Sequence, residues 1–301
     1  MVKTTVIKWD RVVFNIIAYT AIIGFAFLCV FPFIMMLSGS LSSSRSIVVN
    51  GYTLWPREFS FTAYTLLFSA PEIMLYSFII SIIVTLSGTA VSLYVCSMAA
   101  YALVRKNFKP RNKVAFFYYF TTLFSGGLVP FYIVMVNYYD MRNNLLALIL
   151  PATVNVWNLL VLRSFMKSNI PEALIESAKI DGAGEYRIYA KIVMPLMVPS
   201  LMAIGFFTAI GYWNDWYSAM LFVDKETLIP LQYKLYKMLN TLTTLMQIAA
   251  RSKNPNILKM QLPTETIKLA MAVTAAAPII FLYSFIQKYF VKGITIGAVK
   301  G

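Results

Sequence analysis

Residues 73–104 read IMLYSFIISIIVTLSGTAVSLYVCSMAAYALV. None of them is charged, and the run exceeds the roughly 20 apolar residues that a helix needs to cross a bilayer. Inside lipid a backbone must satisfy its own polar groups, and a helix does so within the segment. Ser77, Ser81, Thr85 and Thr89 recur every four residues, as do Gly88, Ser92, Cys96 and Ala100, so each row lies along one side of such a helix. Small residues let helices approach closely where lipid supplies no hydrophobic drive. The stripe is either an interhelical packing face or the lining of a pore.

Outward from this run the pattern repeats. Of the 301 residues 59% are hydrophobic and 13% charged, and the mean hydropathy is +0.69. A soluble domain carries about 25% charged residues, so this chain is expected to be a polytopic, all-α membrane protein. Six transmembrane helices can be drawn, at about 12–37, 73–104, 114–136, 145–165, 196–223 and 267–290. Pro32, Pro130, Pro151 and the pair Gly126–Gly127 fall within or near them; such breakers are tolerated where neighbours or a cavity take up the freed backbone groups. Basic residues collect before the first run, at Arg105–Lys113, at Arg163–Lys191 and at the end of the chain. By the positive-inside rule both termini are expected in the cytoplasm, with residues 224–265 as a long extracytoplasmic loop.

The net charge of +14 follows the ends of the apolar runs, which argues for membrane lipid and against nucleic acid. With no histidine, a Ser-His-Asp triad and His-ligated metal sites are excluded. Cys29 and Cys96 sit apart in apolar runs and read as small hydrophobes, and no Walker A loop occurs. No catalytic or metal site and no bound cofactor are expected. If ATP drives the protein, another chain holds it.

One inner connection, residues 167–195, is long and polar. Its stretch 171–199 reads PEALIESAKIDGAGEYRIYAKIVMPLMVP and predicts helix, turn, helix. Pro171 suits a first turn with Ser168 or Asn169 at the cap, Glu172 and Glu176 share a face, and Asp181–Gly182 signals the turn. Ile188 and Ile192 fall on one side of the second helix, Arg187 and Lys191 on another. By spacing alone this is either an interfacial helix or a docking element.

Glu176-Ser177-Ala178, three residues, Gly182, nine residues and Ile192-Val193-Met194-Pro195 resemble the EAA loop of ABC importer permeases: Glu-Ala-Ala, three residues, Gly, nine residues, Ile-x-Leu-Pro. Ser177 and Met194 are the departures. Tyr212-Trp213-Asn214-Asp215-Trp216 and the ending Gly297-Ala298-Val299-Lys300-Gly301 are similar to the maltose-type carbohydrate branch, and Phe124–Pro130 to its oligosaccharide subgroup. The resemblance implies that Glu176, Ser177, Ala178, Asp181, Gly182, Ala183, Ile192 and Pro195 form a coupling segment seated on an ATPase. Glu176 would contact that ATPase, Ala178 would allow close approach and Gly182 would make the turn. Residues 297–301 would reach the same ATPase dimer or simply fray.

The partners implied are a second homologous permease, an ATPase dimer holding ATP and Mg, an extracytoplasmic solute-binding protein and an oligosaccharide. The location implied is the bacterial cell membrane. Trp213, Asn214, Asp215, Trp216 and Tyr217 combine flat apolar faces with hydrogen-bonding groups; they serve either the sugar or an interfacial aromatic belt. The basic residues of the 224–265 loop either dock a partner or are solvated. The alternatives are an ion-coupled secondary transporter, disfavoured because the spans carry almost no ionisable residues, and a non-transport membrane assembly protein.

Overall fold

The computed structural model describes residues 9–251 and 264–298. Apart from one isolated antiparallel bridge, Ser42 to Phe59, their regular structure is helical. In chain order the helices are α1 (Trp9–Ser40), α2 (Ser44–Asn50), α3 (Thr62–Leu67), α4 (Pro71–Val104), α5 (Arg111–Thr121), α6 (Leu128–Ile133), α7 (Leu146–Thr153), α8 (Val156–Asn169), α9 (Glu172–Ile180), α10 (Glu185–Ile188), α11 (Met194–Leu196), α12 (Val198–Asn214), α13 (Tyr217–Phe222), α14 (Leu231–Arg251) and α15 (Thr264–Ala298). A π-helical turn at Val134–Tyr138 continues α6, and another at Tyr189–Val193 joins α10 to α11.

Two compact units divide the chain: Met1–Ser69 with Thr241–Ala276, and Ala70–Asn240 with Ala277–Gly301. In the first, α1 turns large apolar side chains outward along its length, Phe14, Ile17, Phe25 and Leu28 among them, the surface that lipid or a partner would cover. Its end is held by serines: Ser38 Oγ donates to the Thr53 carbonyl at 2.7 Å, and Ser40 Oγ pairs with the Tyr64 hydroxyl at 2.9 Å. A Cβ on Gly39 would lie 2.4 Å from the Leu269 Cδ1 methyl, so a larger residue there would require that side chain of α15 to shift.

The second unit is built on α4, which packs against α7, α8 and α12. Ser77, Ser81, Thr85, Gly88, Ser92, Cys96 and Ala100 are all buried. The stripe is therefore a packing face. At Gly88 a Cβ would lie 2.7 Å from the Tyr212 ring, whose hydroxyl donates to the Ile149 carbonyl at 2.9 Å. Ser81 Oγ accepts the Leu231 N–H at 2.8 Å and so seats the start of α14. An apolar core of Leu159, Leu162, Met166, Ile188 and Val193 fills the space below α4.

Among the described residues three helices are long and apolar enough to cross a membrane: Arg11–Ser40, Pro71–Val104 and Glu265–Lys288. Two bent pairs raise the number to five, and Leu128–Tyr138 is a shorter apolar helix. The breaks have local causes. Between α5 and α6 the chain turns through Gly127 at φ +87°, a conformation in which glycine has no Cβ penalty. Pro151 is accommodated inside α7; the 48° bend comes later, at Val154–Asn155, where Asn155 Oδ1 accepts the Asn158 N–H and starts α8. An 80° bend at Met197 lies between Pro195 and Pro199.

Candidate functional sites: a turn-linked segment and a polar groove

The first site grows from the end of α8. Ser168 and Asn169, read from sequence as caps of the next helix, instead bond back to the Ser164 and Phe165 carbonyls within α8. Pro171 itself takes the cap position in extended geometry, and α9 starts at Glu172. At the other end of α9, Gly182 adopts φ +80°. The Ala183 N–H bonds the Ala178 carbonyl at 2.9 Å, and the Gly182 N–H bonds that of Lys179 at 3.0 Å. This is the Schellman pairing, which satisfies the last carbonyls of a helix and asks for a left-handed residue at the turn.

The turn sorts the motif residues. Ile175 and Ala178 point into the chain's own core, with Ile188, Tyr189 and Val193; the close approach that Ala178 permits is therefore to this chain. Glu176, Ser177, Asp181, Gly182 and Pro195 are exposed, while Ala183 and Ile192 are half-buried. Ala173, Glu176, Ser177 and Ile180 share one exposed face of α9, and Ile180 is 87% exposed. Ile180, at the end of that face, leaves a bare apolar side chain beside Glu176 and Ser177.

Glu185, the first residue of α10, braces the segment against the end of α4. Its carboxylate accepts the Tyr101 hydroxyl at 2.6 Å and pairs with Lys179 at 2.6 Å and Arg105 Nε at 3.3 Å. Partial burial pushes this carboxyl up, but Lys179, Tyr101 and Arg105 outweigh it and hold it below the usual range. Glu172 forms a further ion pair with Lys106, and the Tyr189 hydroxyl pairs with Ser97 Oγ at 2.8 Å. Burial raises the Tyr189 phenol, which stays neutral. Sequence reading did not find this brace, because its partners meet only in the folded chain.

The second site is a groove of about 440 Å³ between the α7–α8 break and one side of α12. Asn155, Asn158, Phe207, Thr208, Gly211, Asn214 and Asp215 line it, with Ala152 and Tyr212. Asn158 Nδ2 donates to Thr208 Oγ1 at 3.0 Å, and Thr208 donates to the Ile204 carbonyl. Of the five residues read as sugar candidates, only Asn214 and Asp215 reach the groove. Asp215 Oδ1 also accepts the Ser218 N–H at 3.0 Å, capping α13. Trp213 is buried beside Phe78, and Trp216 stacks on Tyr236 with ring centres 4.2 Å apart and Tyr217 at its edge. The missed residues left one signal in the sequence, polar side chains inside otherwise apolar runs.

Gly297 and Ala298 are the last residues of α15; Val299, Lys300 and Gly301 lie outside the described residues.

No family model matches the chain. It is 37% identical to the polygalacturonan/rhamnogalacturonan transport system permease protein YtcP of Bacillus subtilis (strain 168), over 96% of this chain and 98% of that protein. It is 36% identical to protein LplC of the same organism over 92% of each chain. Among solved structures, the crystal structure of a bacterial ABC transporter involved in the import of the acidic polysaccharide alginate includes a chain with TM-score 0.76 and 28% identity. That match covers 94% of this chain and 98% of that one. Fold and relatives together define a helical membrane permease. The chain belongs to the carbohydrate permeases of ABC transporters.

Proposed function

We propose that this chain, with a second homologous permease, forms the path of an oligosaccharide that an extracytoplasmic binding protein delivers to an ATP-driven importer. It crosses the bacterial cell membrane six times, and both termini are cytoplasmic. A separate ATPase dimer holds ATP and Mg. Relatives named for polygalacturonan/rhamnogalacturonan, arabinooligosaccharides and melibiose/raffinose/stachyose support the oligosaccharide class.

The observation that carries the reading is the exposed face Ala173–Glu176–Ser177–Ile180, presented by a turn closed on Gly182 and braced through Glu185 onto α4. Closure of the ATPase dimer on ATP draws this segment toward its counterpart in the second permease. The ties Glu172–Lys106 and Glu185–Arg105 pass that displacement to α4. Because the buried stripe locks α4 to α7, α8 and α12, the bundle moves as a body, and the path turns from inward- to outward-facing. The chain makes and breaks no covalent bond. Residues 297–301 supply a second contact to the ATPase.

Purification of the tagged chain from its native host in mild detergent, followed by mass spectrometry, tests this. A second permease and an ATPase should accompany it. Gly182→Asp should insert normally yet recover at least about tenfold less ATPase, a loss equivalent to roughly 1.4 kcal/mol. A homo-oligomer without ATPase, from membranes that contain one, would overturn the proposal.

A further inference from the structure

We infer that a cleft between the last turns of α4 and the start of α10 holds an anionic phospholipid, its phosphate beside Arg105 and an acyl chain against the aromatic wall. The inference goes beyond the importer reading and rests on it only for placing this end of α4 at the inner leaflet.

The cleft encloses about 460 Å³. Met98, Tyr101, Ala102, Phe108, Tyr186 and Tyr189 form its wall, and Arg105 and Glu185 are its charged lining residues. Phe108 and Tyr186 are exposed, so the chain itself leaves part of this apolar wall uncovered. Helix α4 has 34 residues and runs ~50 Å, against ~40–45 Å for a bilayer with its headgroups. Its last turn therefore reaches headgroup level, where basic pockets between helices bind acidic lipid headgroups. The charge balance favours an anion. The Glu185 carboxylate is shared by Lys179 at 2.6 Å and Arg105 Nε at 3.3 Å, and it accepts the Tyr101 hydroxyl as well. One carboxylate between two cations leaves a positive charge, and the nearer cation is Lys179. The Arg105 side chain is only 12% exposed, yet its Nε has no hydrogen-bond partner, and Nη2 reaches Glu185 Oε1 only at 3.5 Å. A guanidinium carries five N–H donors, and phosphate oxygens are the acceptors that take them in pairs. Residues 105–113 add Lys106, Lys109, Arg111 and Lys113 and no carboxylate. Glu172 takes Lys106, while Arg111 bonds the Val104 carbonyl at 3.3 Å and so stays at the end of α4.

The assembled importer, purified with its ATPase, should be placed in phosphatidylcholine nanodiscs that carry a trace of photoreactive lipid. Two probes bear the same diazirine-labelled acyl chain, one on phosphatidylglycerol and one on phosphatidylcholine, and the labelled peptides are identified by mass spectrometry. The anionic probe should label the lining residues between positions 98 and 108 at least about fivefold more than the zwitterionic one, the discrimination that one basic side chain at a lipid surface supplies. Both should label the exposed face of α1 alike. Arg105→Gln should bring the two probes level at the cleft. That variant also breaks the pair with Glu185, so Glu185→Gln is its counterpart: it breaks the same pair but leaves the arginine uncompensated, and should keep or raise the preference.

Equal labelling of the wild-type cleft by both probes would overturn the assignment, as would a preference lost alike in Arg105→Gln and Glu185→Gln. Unlabelled lining residues in a complex that retains its ATPase would also overturn it, because protein then covers the cleft. Absence of the ATPase from the wild-type preparation would instead overturn the importer reading, which the lipid probes do not test.

Discussion

At Gly88 a β-carbon would press within 2.7 Å of the Tyr212 ring, and that ring is fixed by the hydrogen bond from its hydroxyl to the Ile149 carbonyl. Overpacking of such a site costs about 1–3 kcal/mol. Gly88→Ala is therefore expected to lower the thermal unfolding midpoint in detergent, whereas Gly24→Ala, where nothing lies within 4 Å, should leave it unchanged or raise it. An unchanged midpoint for Gly88→Ala would refute the packing assigned to α4. Gly182 is constrained differently: its surroundings are open, but φ is +80°, and an L side chain in that region costs roughly 1–2 kcal/mol. The Asp-Gly turn was legible in the sequence because the signal is local. Glu185 was not, since Tyr101 lies 84 residues away along the chain and only the fold brings it to 2.6 Å.

Glu185 ties α9, through Lys179, to Tyr101 and Arg105 at the end of α4. The Glu185 side chain is half-exposed, and pairs of that kind contribute only ~0–1 kcal/mol, so Glu185→Gln should insert and assemble normally. It should nevertheless weaken the link from α9 to α4, and ATP hydrolysis in proteoliposomes should lose several-fold of its stimulation by loaded binding protein while basal hydrolysis persists. Full stimulation in this variant would remove Glu185 from the coupling path. The sign with pH is fixed by the lowered pKa. The pairing is complete above the ordinary carboxylate value of about 4.3 and is lost only as pH falls through the still lower folded value. Stimulation should accordingly show no step attributable to this residue between pH 6 and 8.

At the level of elements the uninterrupted runs, α1, α4 and α15, could be read directly. The broken ones were read as single spans because hydropathy averages over a bend. The bend before α8 is set by the Asn155 cap, four positions after the proline that drew attention. Within residues 224–265 some ion pairs were likewise not legible in the sequence. Glu226 pairs with Lys234 at 2.8 Å and Lys237 at 3.2 Å, pairs that only the start of α14 brings together.

For the whole molecule, seating α9 on an ATPase requires one orientation across the membrane. With a membrane-impermeant maleimide, Lys225→Cys should be labelled in intact cells, and Ser177→Cys only after the membrane is opened. The reverse pattern would invert the topology and place α9 on the wrong side for an ATPase. Seating of the exposed face of α9 on that ATPase can be read with a photo-crosslinking amino acid placed at position 180 in the functional importer. Ile180 is bare and shares its face with Glu176 and Ser177, whereas Ile175 is buried in the chain's own core. A crosslink to the ATPase is expected from position 180 and none from position 175. An importer that still transports while position 180 crosslinks only to lipid or to its own chain would contradict it.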